Sequence, residues 1–352
     1  MGRQWVVVGV FCLVVDLGFI GKALSPDWVR APGDALATLA PFHANREVAD
    51  IHNRQLSDWV LQFHPWHHHV RESYLDGRLP LWNDMSGGGQ PFAANMQCEA
   101  FSPYLPLLLI GGDNFADLKQ LAQLLLAQLG CLLLAARFGL SPLAGCIVAL
   151  CLSLSSVQQA FALHPHSGVS AWLPLLAWTL LRLRERISLR RTASSALLTG
   201  LMILSGHPET AFTAFLAATL VAICHVVVAK SGLRSLAAFL GMTGIVGALG
   251  TLVACVQVLP FAEYLSWSFV DELRSVSSHD MTLPATYMMT LIDPHALGTP
   301  WAHRPFQGAW NFIEVAFSIG AVSIYFVLVA LVNAFKWRRA ARGARRSHGW
   351  RP

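Results

Sequence analysis

The chain has 352 residues, of which 54% are hydrophobic and only 13% are charged. Soluble domains carry about 25% charged residues, so this composition excludes an ordinary soluble domain and predicts an all-α polytopic membrane protein. The net charge of +5 does not indicate nucleic-acid binding, because the basic residues are scattered at loop edges and in one tail, as is usual where they set membrane topology.

The apolar segments predict the membrane-spanning helices. Such a helix needs about 20 mostly apolar residues, and about eight segments approach that requirement. The first follows Arg3 and is too long for a signal-peptide core, so it predicts a retained helix. The predicted spans are 5–24, 117–138, 143–163, 169–183, 193–204, 211–229, 236–259 and 312–335, and the fifth is the shortest.

Two long polar segments and a basic tail divide this single membrane domain of residues 1–352. The polar segments are residues 25–116 and 261–311, and the tail is residues 336–352. With the N-terminus in the cytoplasm, the arginines between positions 182 and 191 and the tail also lie inside, as the positive-inside rule requires. We therefore expect a multi-pass protein of the cell (inner) membrane with both polar segments outside and a tail that contacts anionic lipids.

The stretch DWVLQFHPWHHHV, residues 58–70, predicts two short helices. Because proline fits best at a helix start, one helix is expected to end near His64 and the next to begin at Pro65. Trp66, Val70 and Tyr74 then form one apolar stripe, which predicts an amphipathic helix against membrane or protein. Gly77 is positioned to cap its C-terminus.

Helical spacing argues against a metal site among these histidines. His67, His68 and His69 are consecutive, so on a helix they point about 100° apart. His64 and His68 have the i, i+4 spacing of a zinc pair, but the expected break at Pro65 separates them. We therefore predict solvated or interfacial histidines and no cofactor, with a metal ion as the less favoured alternative.

Asp58 lies four residues before Gln62 and shares its helical face. Its neighbours Trp59 and Phe63 are aromatic, and a carboxylate partly desolvated by such a surface can serve as a general base. The spacing equally fits a helix N-cap or an ordinary surface acid. The residues alone leave these alternatives open.

Several stretches, taken together and in order, resemble the YfhO family of bacterial multispanning membrane proteins, which is related to the GT-C class of glycosyltransferases. They are DWVLQFHP (58–65), GRLPLWND (77–84), GGGQPFAANMQCEAFSPYLPL (87–107), GHPETAF (206–212), CVQVLPFAEYLSWS (255–268) and LIDPHALGT (291–299). The resemblance runs from the first helix to about Val332. Family members are considerably longer, so this chain is expected to be a short or truncated member.

The resemblance implies a GT-C-like fold whose large first outer loop contains short amphipathic helices. It also implies transfer of a sugar from a polyprenyl-phosphate donor to a cell-surface glycan or lipid acceptor at the outer face of the membrane. In that class an acidic residue of the first outer loop is the general base. The matching position here is Asp58, and Asp50 is a second choice.

Such a transfer needs hydrogen-bond donors or cations near the leaving phosphate. On the outer side the candidate partners of the phosphate are His164, His166, His207, Arg274 and Arg304. Gln62, Glu209 and Glu314 are further candidate substrate-binding residues. Each arginine equally fits a contact with a lipid headgroup. His207 and Glu209 flank Pro208, so their alternative role is capping and turn formation.

Among the ionisable residues inside predicted spans, where charged groups are costly and usually have a role, we single out Asp16, His225 and Glu314. Glu314 lies near an outer end and could line the same cavity. Asp16 has no evident partner in the sequence, and a contact with a neighbouring helix is the simpler expectation.

Two other functions compete with glycosyl transfer. A transporter or flippase of a lipid-linked or small polar substrate would need polar residues near the membrane midplane and paired broken helices. The sequence shows its polar residues at the outer ends and no inverted repeat. A non-catalytic membrane assembly partner is the third possibility.

Overall fold

The structure is a computed structural model that describes residues 2–25, 27–28, 31–38, 40, 42, 56–228, 232–269, 284–299, 306–308, 312–315, 318–320 and 323–333. Across these residues the fold is all-α apart from one short strand pair, as the composition predicts. The strands are β1 (Trp82–Asn83) and β2 (Gln90–Pro91), which pair antiparallel with Trp82 opposite Pro91.

Fourteen α-helices follow one another in the described parts of the chain. They are α1 (Arg3–Ile20), α2 (His64–Leu75), α3 (Leu105–Gly111), α4 (Phe115–Arg137), α5 (Pro142–Ser153), α6 (Ser156–Gln159), α7 (Pro165–Ser170), α8 (Leu173–Glu185), α9 (Leu189–Leu204), α10 (Pro208–Val228), α11 (Gly232–Val253), α12 (Cys255–Ser266), α13 (Phe312–Val315) and α14 (Ser323–Asn333). A π-helical segment, Trp59–Phe63, directly precedes α2.

Four helical stretches among the described residues are long and apolar enough to cross a membrane: α1, the stretch Leu105–Arg137 that includes α4, α10 and α11. The other predicted spans are shorter or broken. The span expected over 143–163 stops at Ser153 because Ser155 is extended, and the span expected over 169–183 is divided before α8, which has Pro174 in its first turn. The span expected over 312–335 is represented by the short helices α13 and α14.

Close helix contacts hold the bundle around α4 and α9. A Cβ on Gly130 of α4 would lie 2.5 Å from the backbone nitrogen of Leu175 in α8. A Cβ on Gly250 of α11 would lie 2.6 Å from the Thr199 side chain in α9. Small residues at these crossings let the backbones approach, which is how helices commonly associate in membranes.

The bundle has two chemically different ends. At one end, Arg137 at the C-terminus of α4 pairs with Glu185 of α8, and Arg191 of α9 lies 3.7 Å from the same carboxylate. Lys119, near the start of α4, is 18 residues before Arg137, which at 1.5 Å per residue is about 27 Å away. That separation is close to the thickness of a bilayer core, about 30 Å.

Candidate functional site

The chain is helical without a break from Ser57 to Leu75, so the helix end predicted at Pro65 is wrong. The π-helical turn explains the difference. The backbone N–H of His64 bonds to the carbonyl of Trp59, five residues back, just before the position where proline lacks an N–H. Asp58 and the four histidines after it therefore lie on one continuous helical segment.

The predicted C-terminus and apolar face of α2 are confirmed. Gly77 has φ +72° and donates to the Tyr74 carbonyl, while Arg78 donates to the Ser73 carbonyl, the bond pair of a Schellman cap. Val70 is fully buried, and Trp66 and Tyr74 pack against its cluster. This stripe fixes which side of the helix faces the protein.

A tight turn before α3 places the side chain of Glu99 in the interior that α2 packs against. The Asn95 side chain caps a 3-10 turn, Met96–Cys98, by accepting from the Gln97 backbone. The next residue, Glu99, has φ +57°, a conformation that side-chain-bearing residues seldom adopt and that clusters at functional sites. The Glu99 side chain is consequently directed inward and is only 2% exposed.

Glu99 joins two other buried polar residues. Its Oε2 accepts from Nε2 of His67 at 2.8 Å and from Nζ of Lys119 at 2.5 Å. All three side chains are more than nine-tenths buried. We call His67, Glu99 and Lys119 the buried triad, and it ties α2, the loop before α3, and α4 together.

The charges of the triad are set by their surroundings. Burial would raise the pKa of Glu99, but Lys119 and the hydrogen bond from His67 outweigh it and hold that pKa below its ordinary value. Burial lowers the pKa of His67 despite the opposing effect of Glu99. His67 is therefore neutral beside an ionised Glu99, and since a carboxylate only accepts, Nε2 carries the proton and Nδ1 has a free lone pair.

A cavity of about 350 Å³ adjoins the triad. It lies between α2 and the start of α4, and its lining includes His67, Trp59, Arg71 and Asp113. Its volume falls within the range of small-molecule sites, roughly 300–1,000 Å³.

Three of the predicted binding histidines are brought together beside α7. The ring centroids of His166 and His207 are 3.7 Å apart, and those of His164 and His166 are 6.1 Å apart. His207 also caps α10, since its Nδ1 accepts from the backbone of Thr210 at 3.2 Å, which confirms its alternative role. We call His164, His166 and His207 the histidine cluster.

Aromatic contacts join the histidine cluster to the segment that carries Asp58. The ring of Phe63 meets His164 edge-on at 5.2 Å, and Phe161 stacks on His166 at 4.5 Å. Gly206, one residue before His207, is also close to the triad, because a Cβ there would lie 2.8 Å from Cγ of Glu99.

Acid is expected to destabilise the protein through the histidine cluster. Burial lowers the pKa of His164 to about 4 and that of His166 to about 3, so the unfolded chain binds protons that the folded chain does not. Stability should fall as pH drops from about 6.5 toward 4, by about 3 kcal/mol from His164 alone. Denaturant unfolding in detergent micelles at several pH values measures this, and His164→Gln should flatten the profile whereas His295→Gln, at an exposed position, should not.

The other predicted site residues are distributed around this end of the bundle and beyond it. Gln62 donates to Oδ1 of Asp58 at 3.3 Å, so their predicted shared face is confirmed. Glu209 is exposed in the first turn of α10. Glu314 is exposed on α13, whose Phe312 and Ile313 pack against Phe161 beside the histidine cluster. Asp50, Arg274 and Arg304 lie outside the described residues.

The two remaining intramembrane candidates have partners. Asp16 accepts from Nε2 of Gln128 at 3.0 Å, so the expected contact with a neighbouring helix is confirmed. Gln128 also donates to the Ser153 hydroxyl at 2.9 Å. His225 lies 2.7 Å from Arg184, at the basic end of the bundle.

Sequence reasoning missed Glu99 and Lys119. A signal for each existed, since Glu99 lies inside a stretch quoted for the family resemblance and Lys119 is a charged residue inside a predicted span. Within the described residues, no group of three or more His, Cys, Asp or Glu is arranged to hold a metal ion.

Comparison of the chain with protein-family models, curated proteins and solved structures gives no match. The resemblance to the YfhO family therefore stays a prediction from the quoted motifs, and the function of this chain has to be inferred from its own geometry.

Proposed function

We propose that the protein is a GT-C-like membrane glycosyltransferase that transfers a sugar from a polyprenyl-phosphate donor to a cell-surface glycan or lipid acceptor. The observation that carries the proposal is the gathering of Asp58, the buried triad, the histidine cluster and the cavity at one end of the bundle. The arginine-rich end, with Arg137 and Arg191, is the opposite end of the bundle. With the arginines in the cytoplasm, the polar end faces outward, where such donors are used.

In this proposal Asp58 is the general base. It is half-buried, and Gln62 donates a hydrogen bond to its Oδ1. A carboxylate so oriented removes the proton of an acceptor hydroxyl as that oxygen attacks the anomeric carbon. The bond from that carbon to the phosphate oxygen breaks, and the electron pair leaves with the polyprenyl phosphate.

The histidine cluster is the proposed neighbour of the leaving phosphate. Nδ1 of His207 accepts from Thr210, so in the neutral ring Nε2 carries a proton that it can donate to an oxygen. Neutral donors held in place before the reaction stabilise developing negative charge without a large reorganisation.

Replacing Asp58 with Asn is expected to reduce glycosyl transfer about a hundredfold or more, because general bases contribute roughly that much. Surface glycan composition would be compared in cells that carry wild-type or variant protein at matched membrane levels. Asp76→Asn is the matched control, since Asp76 is an exposed acid at the far end of the same helical segment. Wild-type glycans in cells carrying Asp58→Asn would remove Asp58 as the base.

A transporter is the second candidate, and the contact of Asp16 with Gln128 favours it. Gln128 lies nine residues from both Lys119 and Arg137, so this buried acid is near mid-height of α4, where transporters place coupling groups. Substrate counterflow in proteoliposomes that is lost in Asp16→Asn, without glycosyl transfer, would favour this alternative.

A further inference from the structure

Two residues that line the cavity beside the buried triad each have a buried nitrogen without a hydrogen-bond partner among the described residues. The two nitrogens are Nδ1 of His67 and Nε1 of Trp59. The two rings are 5.6 Å apart, and both residues line the cavity. Buried polar atoms are rarely left unsatisfied, so each such atom needs an explanation.

The two atoms have opposite hydrogen-bonding roles. Nε1 of Trp59 can only donate, whereas Nδ1 of His67 accepts because Nε2 gives its proton to Glu99. A hydroxyl group is able to accept from Trp59 and donate to His67 at the same time. A cavity of about 350 Å³ is far larger than the share of one water molecule, about 30 Å³, so it has room for a larger hydroxylated molecule.

The rest of the lining indicates a neutral ligand. Arg71 and Asp113, which carry opposite charges, both line the cavity, so neither an anion nor a cation is selected by charge. Leu108, Phe115 and Ala116 add apolar surface. Polar groups of both signs with an apolar wall suit a sugar, which has hydroxyls along its edges and C–H groups on its faces.

We infer that this cavity is the acceptor subsite, which binds a neutral sugar through one hydroxyl held between Trp59 and His67. The role of the cavity as an acceptor subsite rests on the proposed function, whereas the binding of a sugar there does not. The triad then has a positioning role, since Glu99 sets the tautomer of His67 and Lys119 keeps Glu99 ionised. Asp58 is the residue directly before Trp59, so the base and the subsite share one helical turn.

Direct binding tests the inference on the purified full chain in a zwitterionic detergent without a sugar headgroup. The probes are methyl glycosides of glucose, galactose and N-acetylglucosamine, with inorganic phosphate as the anionic comparison, and the readout is saturation-transfer NMR with titration. At least one glycoside should bind, and phosphate should not compete with it.

Two conservative variants remove one hydrogen bond each. Trp59→Phe keeps the aromatic packing without the donor. His67→Gln keeps a donor toward Glu99, but its amide oxygen no longer lies where the ring Nδ1 accepts. Each should weaken glycoside binding about tenfold, the equivalent of one hydrogen bond. Asp76→Asn should bind as the wild type does, and variant thermal stability shows whether the fold is intact.

The inference is wrong if no glycoside binds the wild type, if phosphate displaces the glycoside, or if folded Trp59→Phe binds as tightly as the wild type. These outcomes are separable from failure of the proposed function. Glycoside binding without any transfer would remove the enzyme and leave the sugar site. Transfer that is unchanged in Trp59→Phe would leave the enzyme and remove this subsite.

Discussion

Replacing Lys119 with Met is expected to lower the free energy of unfolding by about 3–5 kcal/mol. The Lys119 ammonium lies 2.5 Å from Oε2 of Glu99, and both side chains are buried. Without it, an ionised carboxylate would remain in the interior with only the neutral His67 beside it. Methionine fills a similar volume, so the loss reports charge and not packing.

Chemical unfolding in detergent micelles measures this effect. Lys22→Met is the matched control, because Lys22 is exposed and should change stability by less than about 1 kcal/mol. The double variant Lys119→Met with Glu99→Gln should recover more than half of the loss, since it leaves no uncompensated charge. A single Lys119→Met variant as stable as the control would show that the ion pair does not hold the loop before α3 against α4.

Gly206→Ala is expected to destabilise the protein by at least about 2 kcal/mol. The φ angle of Gly206 is +108°, which strains any residue with a side chain. A Cβ there would also lie 2.8 Å from Cγ of Glu99 and 3.0 Å from Cβ of Pro165. The substitution therefore pushes on the buried triad and the histidine cluster together.

The same unfolding measurement applies, with Gly244→Ala as the matched control. Gly244 lies within α11 and a Cβ there would meet no atom within 4 Å, so alanine should be neutral or stabilising by about 0.5–1 kcal/mol. If both variants are equally stable, the close packing around Gly206 is not a constraint on the fold.

The helices could largely be located from the sequence, but not their lengths. Apolar runs showed where helices lie, while the breaks at Ser155 and before α8 depend on local serine and proline chemistry inside those runs. At Pro65 the opposite happened: a helix break was predicted, but a π-helical turn lets the helix continue. Span counts taken from apolar length alone therefore exceed what the described helices support.

In the candidate site, too, contacts between residues close in sequence were predictable, whereas contacts between distant residues were not. The pairing of Asp58 with Gln62 and the cap at Gly77 depend on spacing within one helix, and both were predicted. The triad joins residues 32 and 20 positions apart in sequence, and no short-range pattern encodes such contacts. His67, which the sequence predicts to be interfacial, is brought to the buried carboxylate of Glu99 only by the fold.

Cysteine labelling shows on which side of the membrane the polar end lies, which the proposed function requires to be the outer side. In a cysteine-free background, Asp84→Cys and Arg186→Cys would be treated in intact cells with a membrane-impermeant maleimide. Asp84 is exposed near the strand pair, and Arg186 directly follows α8 at the basic end. We expect Asp84→Cys to be labelled from outside and Arg186→Cys only after permeabilisation. Labelling of Asp84→Cys only after permeabilisation would place the polar end in the cytoplasm and exclude transfer at the outer face.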